Sequence, residues 1–176
     1  MVTSSNLRQP ADLERLAEAQ FAPLSDAESK LLRAAPKGET AYCGPSERDD
    51  DPNNNPANSD NWGSERWIRA ELIRWLCVDR DAKGCVDPRG IRAHAAGITG
   101  KLDLTFVVVP FFLGLVHCSI SDDLDLRFIE VPSIKLTGTC LPTLNADHST
   151  VKGGISLQAC ALKVQCNFAA RTSEET

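Results

Sequence analysis

No stretch of this chain is apolar for long enough to cross a membrane as a helix. The most apolar window, Leu104 to Val116, covers 13 residues with Pro110 inside it, against the roughly 20 a spanning helix needs. It reads as core. The N-terminus, MVTSSNLRQPADLERLAEAQ, holds no apolar run resembling that of a secretory leader. Basic charge is not in excess: 19 Lys and Arg face 24 Asp and Glu, a net charge of -5, so direct nucleic-acid binding is not expected. The sequence also lacks a phosphate loop, a dinucleotide fingerprint, a zinc-protease motif and a nucleophile elbow. These absences leave no assembled reactive site and no cofactor to expect. Seven cysteines with no secretory leader predict reduced thiols and a cytoplasmic protein.

At 176 residues, 42% of them hydrophobic, the chain can build one domain with a core and an appendage. Residues 1–44 read as a helical segment. Leu13, Leu16, Ala17 and Phe21 share a helix face, and Ser25-Asp-Ala-Glu28 has the form of a capping box. A helix starting there stops near Pro36 and Gly38. Residues 45–63 are polar, with three prolines, three consecutive aspartates and several asparagines. Such a run buries no apolar surface and is expected to be a flexible acidic linker. Calcium ligation there is disfavoured, because Pro52 interrupts the run and no glycine occupies the turn.

Residues 64–90 are read as a capping helix and its connecting loop. Ile68, Leu72, Trp75 and Leu76 form an i, i+4, i+7, i+8 stripe from Ser64 onward, with Glu65 placed to pair with Arg69. Two tryptophans on this helix fit docking better than a ligand platform.

From Ile91 the sequence divides into units of five or six residues, each holding an apolar-x-apolar triplet. About 15 such units follow one another. A helix does not have this period, and an ordinary sheet needs turn signals at wider intervals. A solenoid has it, because each unit is one side of a coil and stacked coils bury each other's apolar rows. Taking every fourth unit gives four coherent rows. One holds Val109, Val131 and Val151; another Ala96, Cys118, Thr139 and Cys160; a third Ile91, Leu113, Ile134 and Ile155; the fourth Asp103, Asp125, Asn145 and Asn167. Four rows imply a square coil of about 21 residues.

The units Leu102-Asp-Leu-Thr-Phe, Leu124-Asp-Leu-Arg-Phe, Leu144-Asn-Ala-Asp-His and Cys166-Asn-Phe-Ala-Ala resemble the pentapeptide-repeat family, whose consensus is A(D/N)LXX. That resemblance covers residues 91–170 and implies a right-handed, four-sided β-solenoid, a mainly β fold, followed by a tail at 171–176. Asx on one face only, and several six-residue units, depart from the consensus. The family uses the Asx position structurally, so the Asp103, Asp125, Asn145, Asn167 ladder is expected to be structural, bonding either up the ladder or to the corner backbone, with an enzymatic or cation-binding face as the alternative.

Three histidines could seed chemistry. His117 and His148 fall on opposite faces, and Cys118 beside His117 belongs to an inward row. Cys77, Cys85 and His94 lack the spacing and the fourth ligand of a zinc site. Some relatives by that resemblance imitate duplex DNA and occupy a topoisomerase, which requires a strongly negative face. Between Val86 and Leu162 seven acidic residues meet six basic ones, so this alternative ranks below a non-catalytic scaffold for an unknown protein partner. With no amphipathic helix after Ala170, the last coil is expected to expose its edges around Ile155 to Phe168, either to pair end to end in a homodimer or to continue into further coils of a longer protein.

Overall fold

The structure is a computed structural model that describes residues 10–158 and 166–167, without the side chains of 10, 11, 166 and 167. Two helices come first. In α1 (Pro10–Phe21) Leu13 and Ala17 are fully buried, whereas Leu16 turns to solvent. In α2 (Asp26–Ala34) the capping box forms as the sequence predicts: Ser25 Oγ accepts from the Glu28 amide at 3.1 Å, and Glu28 accepts from the Ser25 amide at 3.0 Å. Gly38 ends the helical segment with a left-handed φ of 64°.

Next come β1 (Ala41–Tyr42), β2 (Trp67–Arg69), α3 (Ala70–Val78) and α4 (Arg80–Cys85). The coils then supply β3 (Ile91–His94), β4 (Gly97–Thr99), β5 (Leu102–Asp103), β6 (Leu113–Val116), β7 (Ser119–Ile120) and β8 (Leu124–Asp125). They continue with β9 (Glu130–Val131), β10 (Ile134–Lys135), β11 (Leu144–Asn145), β12 (Thr150–Val151), β13 (Ile155–Ser156) and β14 (Cys166–Asn167).

Four parallel sheets result, in the orders β1-β3-β6-β10-β13, β2-β4-β7, β5-β8-β11-β14 and β9-β12. The fold is a mainly β, four-sheet parallel solenoid preceded by helices. Its register reproduces the sequence rows: Ile91 pairs with Leu113, Leu113 with Ile134 and Ile134 with Ile155. Asp103 pairs with Asp125, Asp125 with Asn145 and Asn145 with Asn167. Of the other predicted positions, Cys160, Leu162, Phe168 and the tail lie outside the described residues.

Two expectations about the N-terminal side need correction. The predicted helix from Ser64 begins only at Ala70; Ser64–Arg66 is a single 3-10 turn and Trp67–Arg69 is strand β2, paired in register with β4 through Ile68 and Ile98. Ile68 therefore belongs to a sheet, while Leu72, Trp75 and Leu76 remain on the helix. Apolar residues four apart satisfy a helix equally well in sequence, and here the free edge of β4 wins. Arg69 pairs with Glu28 at 2.7 Å and not with Glu65.

Residues 45–63 are likewise not a flexible linker. They form a strap of 3-10 turns, Pro52–Asn54 and Pro56–Asn61, opened by Asp51 and Asn55 as side-chain caps. Asn54 is fully buried and donates to the Ser46 and Arg48 carbonyls at 2.9 and 2.8 Å. Polar residues fold here because they bond the strap's own backbone.

The first coil is thus covered by an incomplete earlier coil. Strands β1 and β2 extend two sheets, and Ile73 of α3 closes the interior among Ile91, Leu102, Leu104 and Leu113. The void left inside is about 20 Å³ and entirely aliphatic in its lining, enough space for one water molecule.

Candidate functional site

Each resolved side chain of the Asx ladder folds back on its own corner. Asp103 accepts from the Thr105 amide and hydroxyl at 3.0 and 2.7 Å. Asp125 accepts from Arg127 Nε and Nη2 at 2.9 and 2.7 Å and more weakly from the Arg127 amide. Asn145 accepts from the Asp147 amide at 3.2 Å. These are Asx turns, in which a short side chain replaces a backbone acceptor two residues ahead. The hydroxyl and amide of Thr105 hold the Asp103 carboxyl below its ordinary range, and the Arg127 guanidinium does the same for Asp125. Both acids are held as carboxylates by bonds within their own turns, the opposite of a proton donor poised near neutrality.

The corner after each of these turns holds a residue with left-handed backbone. Phe106, Phe128 and His148 have φ of 59°, 56° and 57°, at the third position of turns closed by Val107, Ile129 and Ser149 amides bonding back to Leu104, Leu126 and Ala146. Non-glycine residues accept this conformation at a cost of about 1–2 kcal/mol each. Stacked coils align the three rings: Phe106 and Phe128 lie 4.6 Å apart and 4° from parallel, Phe128 and His148 5.0 Å apart and 14° from parallel. The row is open to solvent, with Phe106 75% and Phe128 44% exposed, and Val108 beside it is 58% exposed. The quoted repeats already carried this signal in their last letters, Phe, Phe and His.

His117 and His148 stand on different corners, as the sequence reading has them, with His148 in the ring row. His94 and His117 come together on another corner, 5.7 Å between ring centres, with Tyr42 5.3 Å beyond His94. Asp49 of the strap lies against both, within hydrogen-bond distance of His94 Nε2 at 2.9 Å and 3.8 Å from His117 Nε2. Measuring only the His117–His148 interval concealed this, since His94 and His117 lie about four units apart and so stack. Arg66 ties the strap down from the other side, donating to the Ala95 carbonyl at 2.8 Å and the Asn53 carbonyl at 2.9 Å, with its guanidinium 3.7 Å over Trp62.

Two open clefts flank the strap. One of about 840 Å³ is lined by Lys30, Asp26, Glu65, Arg66 and Trp62 among others, and one of about 540 Å³ by Asp49, Asp50, Asp51 and His117. Charges of both signs meet in the first. Among the described residues no group of three or more His, Cys, Asp or Glu side chains is disposed to hold a metal ion, and no helix is long and apolar enough to cross a membrane.

Among the described residues, Cys43, Cys77, Cys85 and Cys118 are buried and stand outside any disulfide. Burial pushes Cys43, Cys77 and Cys118 up to about 12, so none is a thiolate near neutrality. Cys118 donates to the Ala93 and Val116 carbonyls and forms no pair with His117. The expectation of seven thiols is wrong, because Cys140 is disulfide-bonded.

Compared with protein-family models, with curated proteins and with solved structures, the chain matches none.

Proposed function

We propose that this protein is a non-catalytic interaction scaffold whose solenoid coils are of the pentapeptide-repeat type and whose exposed ring corner meets a protein partner. One observation carries the reading: Phe106, Val108 and Phe128 form a contiguous apolar row in water, 75%, 58% and 44% exposed, on an otherwise well-packed solenoid. A row of this kind marks a protein contact more often than a scattered surface residue does. The polar side chains that could do chemistry are engaged elsewhere, the ladder carboxylates with their own turns and the thiols with the core.

The test is contact-specific crosslinking. A photoreactive phenylalanine placed at Glu130, next to the ring row, is irradiated in extract of the native host. A discrete adduct that Phe106→Ser abolishes supports the scaffold reading. Adduct formation that is the same from Glu130 and from a probe at Lys135, with Phe106→Ser without effect, overturns it.

A further inference from the structure

The end of the solenoid nearest the helices is covered unevenly. β1 lies over one sheet, and α2 packs against it. The outer edge of β2 is satisfied by α2 itself: Ser25 Oγ donates to the Trp67 carbonyl at 2.7 Å, and Glu28 accepts from the Arg69 amide at 3.0 Å. The outer edge of β5 receives the Arg74 guanidinium on the Asp103 carbonyl. The fourth side begins with Val107–Val109. Its inner edge is paired, since Glu130 donates to the Val107 carbonyl at 3.0 Å and accepts from the Val109 amide at 2.8 Å. Along a strand the two polar groups of successive residues face opposite edges. Those of Val108 therefore face outward, and neither finds a hydrogen-bond partner among the described residues.

We propose that this bare edge accepts one extended segment of the protein partner as an added parallel strand centred on Val108. The inference rests on the scaffold reading and specifies the partner's chemistry. Parallel sense follows from the sheets themselves, which are parallel throughout. Coil spacing sets the next position of the ring row about 4.6–5.0 Å from Phe106, where a planar side chain continues the stack. Two residues on, opposite Val108, a β-branched residue fits the pleated surface. The intervening inward positions must be small, because Val109 is only 2% exposed and leaves little room above it. Pro110 offers no amide, so the edge has one bonding residue and side-chain stacking must supply the rest. A second copy is the weaker occupant. Three-quarters of a phenylalanine and over half of a valine come to about 250 Å², well short of the ~800 Å² per partner that a stable dimer buries.

The experiment titrates the full chain with fluorescein-labelled acetyl-Lys-Phe-Ala-Val-Ala-Thr-amide, read by anisotropy. In the proposed register the Val108 carbonyl accepts from the second alanine of the peptide, and the amide of the peptide's valine points away. Saturable binding is expected, weakened at least tenfold by N-methylation of that alanine and less than twofold by N-methylation of the valine. Phe106→Ala weakens binding about fivefold. Val108→Pro abolishes it, and since the fold does not use that amide its circular dichroism spectrum stays that of the wild type. The methylated peptides keep the test valid if Val108→Pro unfolds. No saturation at millimolar peptide, or equal loss from both methylations, overturns strand addition while leaving Phe106-dependent crosslinking, and so the scaffold, untouched. A discrete wild-type dimer in sedimentation that the peptide dissolves assigns the edge to a second copy and also overturns the proposal.

Discussion

Replacing Glu28 with alanine is expected to be among the most damaging single changes outside the solenoid core. Glu28 is 98% hidden from solvent and serves two elements at once. One oxygen accepts from the Ser25 amide at 3.0 Å and Arg69 Nη2 at 2.8 Å, the other from the Arg69 amide at 3.0 Å and Arg69 Nε at 2.7 Å. Alanine leaves two amides without partners, at about 1 kcal/mol each, and separates an ion pair. A fully buried pair costs 3–5 kcal/mol to break, but the Arg69 side chain is 36% exposed and can rehydrate. The total is therefore about 3 kcal/mol, or about 6–12 °C in melting temperature for a chain of this size. Glu28→Gln keeps one acceptor and turns an NH2 toward donors, for about 2 kcal/mol. Thermal melts of both variants, of Arg69→Ala and of the double variant check the arithmetic, with the exposed Glu65→Ala as control. A shift under 2 °C for Glu28→Ala, or full additivity with Arg69→Ala, refutes the reasoning. The pH dependence has a definite sign. Burial pushes the Glu28 carboxyl up, but the bonds from Arg69 and Ser25 together outweigh it and leave the group below its ordinary value. Its contribution is then present above about pH 4.3 and is lost as pH falls through the lower folded value. The Glu28→Ala and wild-type melting temperatures should converge in acid.

Leu126→Asp buries a charge at a position 2% exposed and should unfold the solenoid, at a cost above ~4 kcal/mol; Asp125→Asn, which keeps the acceptor for the Arg127 amide, should cost under ~1.5 kcal/mol, and urea titrations giving equal losses would contradict the register. Under denaturing, non-reducing conditions a thiol reagent should find no more than five of the seven cysteines, because Cys140 is in a disulfide; finding seven would contradict it. In the native state Cys43, Cys77 and Cys118 should resist the same reagent for as long as the fold holds, and rapid labelling of any of them would refute their burial. Asp49→Ala removes the contact to His94 Nε2 and should lower hydrogen-exchange protection across residues 45–63 several-fold, with the β5-β8-β11 amides unchanged as the internal control.

The solenoid was legible because stacking is periodic. A row such as Ile91, Leu113, Ile134 and Ile155 must repeat at the interval of one coil, and the sequence displays that interval directly. Nothing comparable marked β1 and β2. Ala41–Tyr42 is two residues long, and Trp67–Arg69 continues an apolar spacing that a helix also satisfies, so only the vacant edges of β3 and β4 decide their state. The strap escaped for a different reason. Composition reports apolar burial, whereas Asn54 is buried by its bonds to Ser46 and Arg48. The Asx ladder pairs in register and its turns are self-contained, yet the exposed ring row on the next corner carried no signal in the apolar spacing, although its letters stood in the same repeats.

The cover over the first coil has a consequence for how the molecule is made. Its pieces, Ala41–Tyr42, Trp67–Arg69 and α3, all precede Ile91 in the chain. During synthesis, which exposes the N-terminal part first, the template surface leaves the ribosome before any strand that stacks on it. The first coil closes longer loops onto β1 and β2, but each later coil meets a finished neighbour about 21 residues behind it, and its sheet contacts close a loop of one coil only. Loop closure of that length is entropically mild. Assembly can proceed as ordered addition at one growing end, and a circular permutant that moves residues 41–78 behind the coils would have to start without its template.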